Sequence, residues 1–172
     1  QDESHIYYTS LGRPVYGGGG IMPDIFVPQD TTGITSYFSM AVNRGLTIQF
    51  AFQYTDQNRQ KLQKYDNADD LLKYLKKQNI LEKFAQFAES KGIKRRNLMM
   101  YKSRELFNRN LYGNIIYNML NMEEYLKFLN QSDPTVQKAL EVLKAGNSFP
   151  QAPEQISEEA NEGTEKTIAK AN

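Results

Sequence analysis

The sequence predicts a mainly α protein, in which a multi-helix domain follows a few short β-strands. Apolar residues recur at helical spacing from about residue 34 to residue 146. Good helix-capping and helix-ending residues, such as Asn67 and Gly92, divide this stretch into segments of modest length. Before residue 34 the chain instead has short aromatic and β-branched runs separated by Gly and Pro, which is typical of strands and turns. A chain of 172 residues is long enough for one domain with a core.

Residues 1–33 are predicted to form strands and turns. The runs HIYYTS (5–10) and PVY (14–16) are expected as strands on either side of a Leu-Gly-Arg turn. Ile25–Val27 is expected as another short strand, which Pro28 closes. Because two or three short strands cannot enclose a core, we expect this segment to complete a sheet in another domain, in a further part of the chain, or in a partner.

Residues 34–146 are predicted to be helical. Leu71, Leu72 and Leu75 form one apolar stripe, and the run 80–92 carries another on Ile80, Leu81, Phe84, Phe87 and Ala88. The first two expected helices are 35–45, which ends at Gly45, and 46–65. The third is capped by Asn67 and has Asp69 and Asp70 in its first turn, and the fourth is 80–92, which ends at Gly92. A longer helix over about 95–120, bent near Gly113, is followed by 121–131 and by a last helix that is capped by Asp133, begins at Pro134 and ends at Gly146.

Residues 147–172 are predicted to be a polar acidic tail. Residues 151–172 hold five Glu and two Lys, a net charge of −5 + 2 = −3. Such a composition buries too little apolar surface to order itself, so we expect the tail to be mobile.

Composition excludes several classes of site. The net charge of +1 gives no overall attraction to nucleic acid or membrane. The chain has no cysteine and one histidine, which excludes disulfides, thiolate zinc sites and a cysteine nucleophile. No apolar run approaches the length that crosses a bilayer. We therefore expect no metal, no cofactor and no membrane span in this chain.

Four consecutive glycines, Gly17 to Gly20, require an explanation because glycine loses the most backbone freedom on folding. A phosphate-binding loop would need GxxxxGK[ST], or GxGxxG before a helix, and neither pattern is present. A flexible linker fits poorly because both flanks are apolar. The remaining interpretation is an ordered glycine segment whose backbone lies close to other backbone.

No residue stands out as catalytic. Any Ser-His-Asp triad would have to use His5, because it is the sole histidine of the chain. It is better explained as a surface or strand histidine. Asp24 follows Pro23 and is typical of a turn residue that accepts backbone N–H bonds. The other carboxylates fall mostly on solvated helical faces, so no acid–base pair is predicted.

Residues 94–109 form the most basic stretch, with six Lys/Arg and one Glu, a net charge of +6 − 1 = +5. A helix of this charge could bind phosphates. The intervening Leu98, Met99, Met100, Leu106 and Phe107 look like a core stripe, which favours a basic face that is solvated or paired with acidic groups.

The segment GRPVYGGGGIMPDIFVP resembles the part of the C-terminal processing peptidases, or tail-specific proteases, that follows their catalytic region. The resemblance rests on ten positions: Gly12, Arg13, Tyr16, Gly17, Gly18, Gly19, Gly20, Ile21, Pro23 and Asp24. The helical runs 50–62 and 133–145 are similar to the C-terminal region of Bacteroidetes-type members, so the resemblance covers roughly residues 5–146.

The resemblance implies a serine endopeptidase of the periplasm or cell envelope that cleaves proteins near their C-termini. In the family a lysine general base activates the serine, and a PDZ domain captures the substrate's C-terminus. Those parts lie upstream of the glycine segment, and no serine of this chain matches the motif. We therefore expect this chain to be an inactive C-terminal region with a structural, oligomerisation or substrate-channel role, and to self-associate through residues 1–33.

Two alternatives stay open from the sequence. The chain could be a stand-alone helical module that binds a protein or peptide, with residues 25–27 offered as an added strand. It could also bind nucleic acid through Lys94 to Arg109, which the weak overall charge disfavours.

Overall fold

We describe the protein from a computed structural model, which covers residues 6–10, 12, 14–17 and 25–146. Within that part of the chain there are eight α-helices and one two-stranded sheet, which confirms the mainly α class. The chain divides into two units, Val27–Leu140 and a second one of Gln1–Phe26 with Glu141–Asn172, and each is described by itself. The predictions for His5 and for the tail fall outside the described residues.

The strand segment forms a short antiparallel hairpin. Strand β1 spans Ile6–Tyr8 and strand β2 spans Pro14–Tyr16, with Tyr7 opposite Val15. In the connecting turn the backbone N–H of Gly12 donates to the carbonyl of Thr9 at 2.9 Å. Gly12 has a φ of +76°, a value that favours glycine. Both strands and the turn were expected from the sequence.

The expected strand at Ile25–Val27 is wrong. These residues are a bend followed by irregular chain, and neither β1 nor β2 pairs with them. A β-branched and aromatic run becomes a strand only where a neighbouring strand accepts its backbone hydrogen bonds. The proline that follows at position 28 also lacks the N–H that a ladder would need.

The eight helices follow in order and are connected by short loops. Their bounds are α1 Ser36–Asn43, α2 Leu46–Leu62, α3 Ala68–Leu75, α4 Ile80–Ser90, α5 Asn97–Lys102, α6 Arg104–Met119, α7 Met122–Asn130 and α8 Pro134–Lys144.

Local capping explains several of these bounds. The Asn67 side chain accepts the backbone N–H of Asp70 at 2.9 Å and starts α3. Asp133 accepts the N–H of Thr135 at 2.8 Å and starts α8. Gly92 follows α4 with a φ of +85°, the left-handed conformation that commonly ends a helix. These caps are confirmed as the sequence predicts them.

The expected single helix over about 95–120 is two helices. The break falls at Ser103, between α5 and α6, and α6 continues through Gly113 without interruption. Gly113 allows close packing, because a Cβ there would lie 3.3 Å from Cε1 of Phe128. The glycine therefore lets α7 approach α6 closely, and the bend at this position stays a prediction.

Helix α6 is the centre of the helical unit. It packs against α2, α3, α4, α5 and α7, so it is apolar on more than one face. Its fully buried apolar side chains are Phe107, Leu111, Ile115 and Ile116. Phe107 also meets Phe84 of α4, with ring centroids 5.2 Å apart. Burial of these side chains contributes to the hydrophobic stabilisation of the unit.

A hydrogen-bonded junction ties the start of α1 to the break between α5 and α6. The Ser103 hydroxyl is fully buried, donates to the carbonyl of Gly33 at 2.5 Å and lies 2.7 Å from the hydroxyl oxygen of Thr35. Thr35 in turn caps α1 by accepting the N–H of Phe38. A Cβ on Gly33 would lie 3.0 Å from the carbonyl oxygen of Lys102, so the chain approaches as closely as glycine permits.

Candidate functional site

The residues of the peptidase-like motif are only partly described. Gly12 lies in the hairpin turn, Tyr16 ends β2, and Gly17 is exposed directly after it. The motif positions Arg13, Gly18, Gly19, Gly20, Ile21, Pro23 and Asp24 fall outside the described residues. The expectation that Gly17 to Gly20 pack against other backbone therefore stays a prediction. Close approach to other backbone is found at Gly33, where a Cβ would lie 3.0 Å from the carbonyl oxygen of Lys102.

The hairpin exposes apolar side chains on both of its faces. Ile6 and Tyr8 point to one face of β1 and are 38% and 59% exposed. Tyr7 and its partner Val15 point to the other face and are 59% and 41% exposed. A hairpin on the surface of a protein normally buries one face. These strands instead have the pattern of strands covered on both sides.

A groove runs along α6 in the helical unit. It consists of two cavities, of about 540 Å³ and about 710 Å³, which share Lys76, Asn108 and Tyr112 in their walls. The first cavity extends towards the start of α4 and towards α5, and the second extends towards the end of α7. Lys76 lies directly after α3, and Asn108 and Tyr112 are one turn apart on α6.

The centre of this groove holds three polar groups without partners. Within the described residues, no hydrogen bond or ion pair engages the Lys76 ammonium, the Asn108 side-chain amide or the Tyr112 hydroxyl. Tyr112 is only 9% exposed. Burial raises the pKa of Tyr112, and the charge of Glu105 adds to the effect. The buried hydroxyl oxygens without a partner in the described residues are those of Tyr37 and Thr55, so the Tyr112 hydroxyl is reached by solvent from the groove and is free to donate to a ligand.

The other cations of the groove are neutralised locally. Arg95 donates two hydrogen bonds to the Glu82 carboxylate, at 2.6 and 2.8 Å. These hydrogen bonds lower the pKa of Glu82 below its usual value. Arg104 lies 3.2 Å from Glu105, and its guanidinium stacks over the ring of Tyr101 at 4.4 Å.

Arg109, in the second cavity, is 3.9 Å from Asp133. The pairing of Arg95, Arg104 and Arg109 agrees with the interpretation of residues 94–109 as a paired basic face. Of the predicted core stripe there, Met100 and Phe107 are buried, whereas Leu98 is 68% exposed.

The start of α4 borders the first cavity. Asn79 precedes the helix with a φ of +50° and makes no side-chain cap hydrogen bond. Its neighbours Ile80, Leu81 and Glu82 line the cavity, so the helix presents its uncapped N-terminal turn there. The aligned peptide dipoles of this 11-residue helix make its N-terminus electropositive.

The described residues contain no cluster of His, Cys, Asp and Glu that could hold a metal ion. No helix in the described part of the chain is both long and apolar enough to cross a membrane.

The groove could not be predicted from the sequence. Lys76 and Tyr112 are 36 positions apart, and only the packing of α3 on α6 brings them together. One local signal existed: Asn108 and Tyr112 carry polar groups at i, i+4 on a helix whose other faces bury Phe107, Leu111, Ile115 and Ile116.

Comparisons with known proteins give one match. The model of a family of unknown function (DUF8443) matches residues 37–121, which is just under half of the chain and runs from α1 to the residue before α7. No curated protein matches the chain, and no solved structure matches it. The matched family carries no described activity, so the comparisons assign none.

Proposed function

We propose that this chain is the C-terminal region of a serine endopeptidase of the C-terminal processing family, and that its hairpin completes the core sheet of that peptidase. Two observations support the proposal. The ten motif positions from Gly12 to Asp24 follow the family's glycine-rich pattern. The hairpin exposes Ile6, Tyr7, Tyr8 and Val15, which are apolar residues on both faces. The second observation carries the proposal because it is independent of the resemblance.

The physical argument concerns stability. A two-stranded hairpin with three residues in each strand is marginal in water. Burying a Tyr, Ile or Val side chain that is now half exposed stabilises a structure by roughly 1 kcal/mol each. A sheet that covered both faces would therefore supply several kcal/mol that the hairpin lacks by itself. The same unpaired edges lead us to propose self-association of the isolated chain.

In this proposal the catalytic serine, the lysine base and the PDZ domain lie outside the segment that the resemblance covers. The helical unit contributes a structural or substrate-channel role in the periplasm or cell envelope, and the chain alone has no peptidase activity. Ser103 illustrates why: its hydroxyl is fully buried and is committed to the carbonyl of Gly33.

The second candidate function is a stand-alone helical module that binds a protein or peptide. The groove along α6 favours this candidate, because its three central polar groups have no partner among the described residues. Residues 25–27, which were expected to offer a strand edge to a partner, do not form a strand. A partner strand would have to pair with β1 or β2 instead.

The test of the proposed function is to sequence the gene around the codon for Gln1 and to express both the full product and this chain. The full product is expected to contain a PDZ domain and a Ser/Lys pair and to shorten a protein substrate from its C-terminal side, as followed by mass spectrometry. Substitution of the catalytic serine by alanine should abolish cleavage. A full gene product that lacks these features, or cleavage by this chain that is lost in Ser103→Ala, would contradict the proposal.

A further inference from the structure

We propose that the groove along α6 binds an extended peptide in which one Glu or Asp side chain, flanked by apolar residues, is held between Lys76, Asn108 and Tyr112. This goes beyond the peptidase assignment and does not depend on it.

The centre of the groove has the hydrogen-bonding capacity of a carboxylate site. A carboxylate accepts up to about four hydrogen bonds. The Lys76 ammonium, the Asn108 amide and the Tyr112 hydroxyl are all donors, and none has a partner within the described residues. Tyr112 is nine-tenths buried and lines both cavities, so its free hydroxyl opens into the groove. A bound carboxylate would satisfy this hydroxyl and neutralise Lys76.

The start of α4 reinforces the preference for an anion. The backbone N–H groups in the first turn of this helix have no side-chain cap, and residues 79–82 line the first cavity. An uncapped N-terminus of an 11-residue helix attracts negative charge. The helix N-terminus alone does not make a binding site, but it attracts a negatively charged group, as the unpaired Lys76 does.

The walls on either side of the centre fit apolar side chains. Ile80 and Met100 lie in the first cavity, whereas Leu72, Leu106 and Phe128 lie in the second. Because a separate cavity lies on each side of Lys76, a ligand chain that fills both cavities passes across the centre and does not end there. The carboxylate therefore belongs to a side chain within the peptide and not to a C-terminus.

The charge of the groove favours a peptide over a nucleic acid. Arg95, Arg104 and Arg109 each lie within ion-pair distance of a carboxylate, at 2.6, 3.2 and 3.9 Å. Lys76 is the one lining cation without such a partner in the described part of the chain. A nucleic acid presents a row of phosphates and needs several unpaired cations. One free cation between apolar walls matches one carboxylate on an otherwise apolar peptide.

The test uses the whole 172-residue chain and a fluorescent peptide, acetyl-Gly-Ser-Leu-Ala-Glu-Leu-Ala-Ser-Gly-amide, in an anisotropy titration. Replacing the peptide's Glu by Gln is expected to weaken binding about tenfold, because a charge-assisted hydrogen bond is lost. Lys76→Gln should remove most of the difference between the two peptides. Tyr112→Phe, which deletes only the hydroxyl, should weaken binding of the Glu peptide about fivefold.

Lys77→Gln is the matched control, because Lys77 is an exposed neighbour that does not line the groove, and it should leave binding unchanged. Amide chemical shifts of residues 80–82 in the unmutated chain should move on titration with the Glu peptide, which tests the site even if a variant fails to fold.

Four results would overturn the inference. They are equal affinity for the Glu and Gln peptides, equal effects of Lys76→Gln and Lys77→Gln, no saturable binding up to about 1 mM, and tighter binding of a single-stranded RNA with a steep salt dependence. The last result would identify a nucleic-acid surface. None of these readouts needs peptidase activity, so failure here is distinguishable from failure of the proposed function.

Discussion

Ser103→Ala tests the junction that joins the start of α1 to the break between α5 and α6. Each hydroxyl has one proton, so Ser103 donates to the carbonyl of Gly33 at 2.5 Å and Thr35 donates to Ser103 across 2.7 Å. After the substitution, Thr35 still accepts the N–H of Phe38 and has the carbonyl of Met99 within 3.5 Å. The loss therefore falls on the Gly33 carbonyl, which is left without its donor.

An unsatisfied polar group in a buried site costs about 1–3 kcal/mol, so we expect the free energy of unfolding to fall by about 2 kcal/mol. For a chain of this size that corresponds to a decrease in Tm of about 4–8 °C. Urea denaturation followed by far-UV circular dichroism measures the free energy of unfolding, and a thermal melt followed by the same signal measures Tm. The matched control is Ser90→Ala, whose hydroxyl is exposed and donates locally to Phe87 at 2.7 Å, and it should change stability by less than about 0.5 kcal/mol. A Ser103→Ala chain within about 0.5 kcal/mol of the unmutated chain would refute the role assigned to this junction.

Three further substitutions test other parts of the account by the same denaturation assay. Gly33→Ala should destabilise the chain by about 2 kcal/mol, because the φ of +80° and the Lys102 carbonyl 3.0 Å from the added Cβ both oppose it; an unchanged stability would contradict the close approach. Thr55→Val should stabilise by about 1 kcal/mol, because the buried Thr55 hydroxyl has no hydrogen-bond partner in the described residues; a loss of stability would reveal a partner. Burial raises the pKa of Tyr54 to about 12, above its ordinary value. The contribution of the neutral Tyr54 side chain to the free energy of unfolding is therefore complete below about pH 10 and is lost as the pH rises towards 12. Tyr54→Phe should therefore lose less stability between pH 9 and pH 11.5 than the unmutated chain does. An equal loss would show that ionisation of Tyr54 does not cause the decrease.

Local rules predicted much of the helical unit. Asn67 and Asp133 cap their helices because each side chain needs only backbone N–H groups within three residues of it. Gly92 ends α4 for a similarly local reason. Such interactions are encoded within one turn, so the sequence alone is sufficient to predict them.

The wrong predictions depended on partners that are distant along the chain. The helix break lies at Ser103, whose side chain donates to the carbonyl of Gly33, 70 positions away. The close packing at Gly113 also depends on a residue outside its own helix, Phe128 of α7. Ile25–Val27 has strand-forming residues but no strand to pair with in the described part of the chain.

The groove was missed for the same reason. Lys76 and Tyr112 are unremarkable in sequence, a lysine after a helix and a tyrosine on an apolar one. Their common site arises only when α3 packs on α6. A single sequence could indicate the hairpin and its motif, but not a site that tertiary packing assembles.

Amide hydrogen exchange of the hairpin tests the central claim most directly. The amides of Ile6–Tyr8 and Val15–Tyr16 should exchange rapidly in this chain alone, because a small exposed hairpin opens easily. In the full gene product the same amides should be protected as strongly as those of a core sheet. Fast exchange in both proteins, or strong protection already in a monomer of this chain, would contradict the claim that the hairpin belongs to a larger sheet.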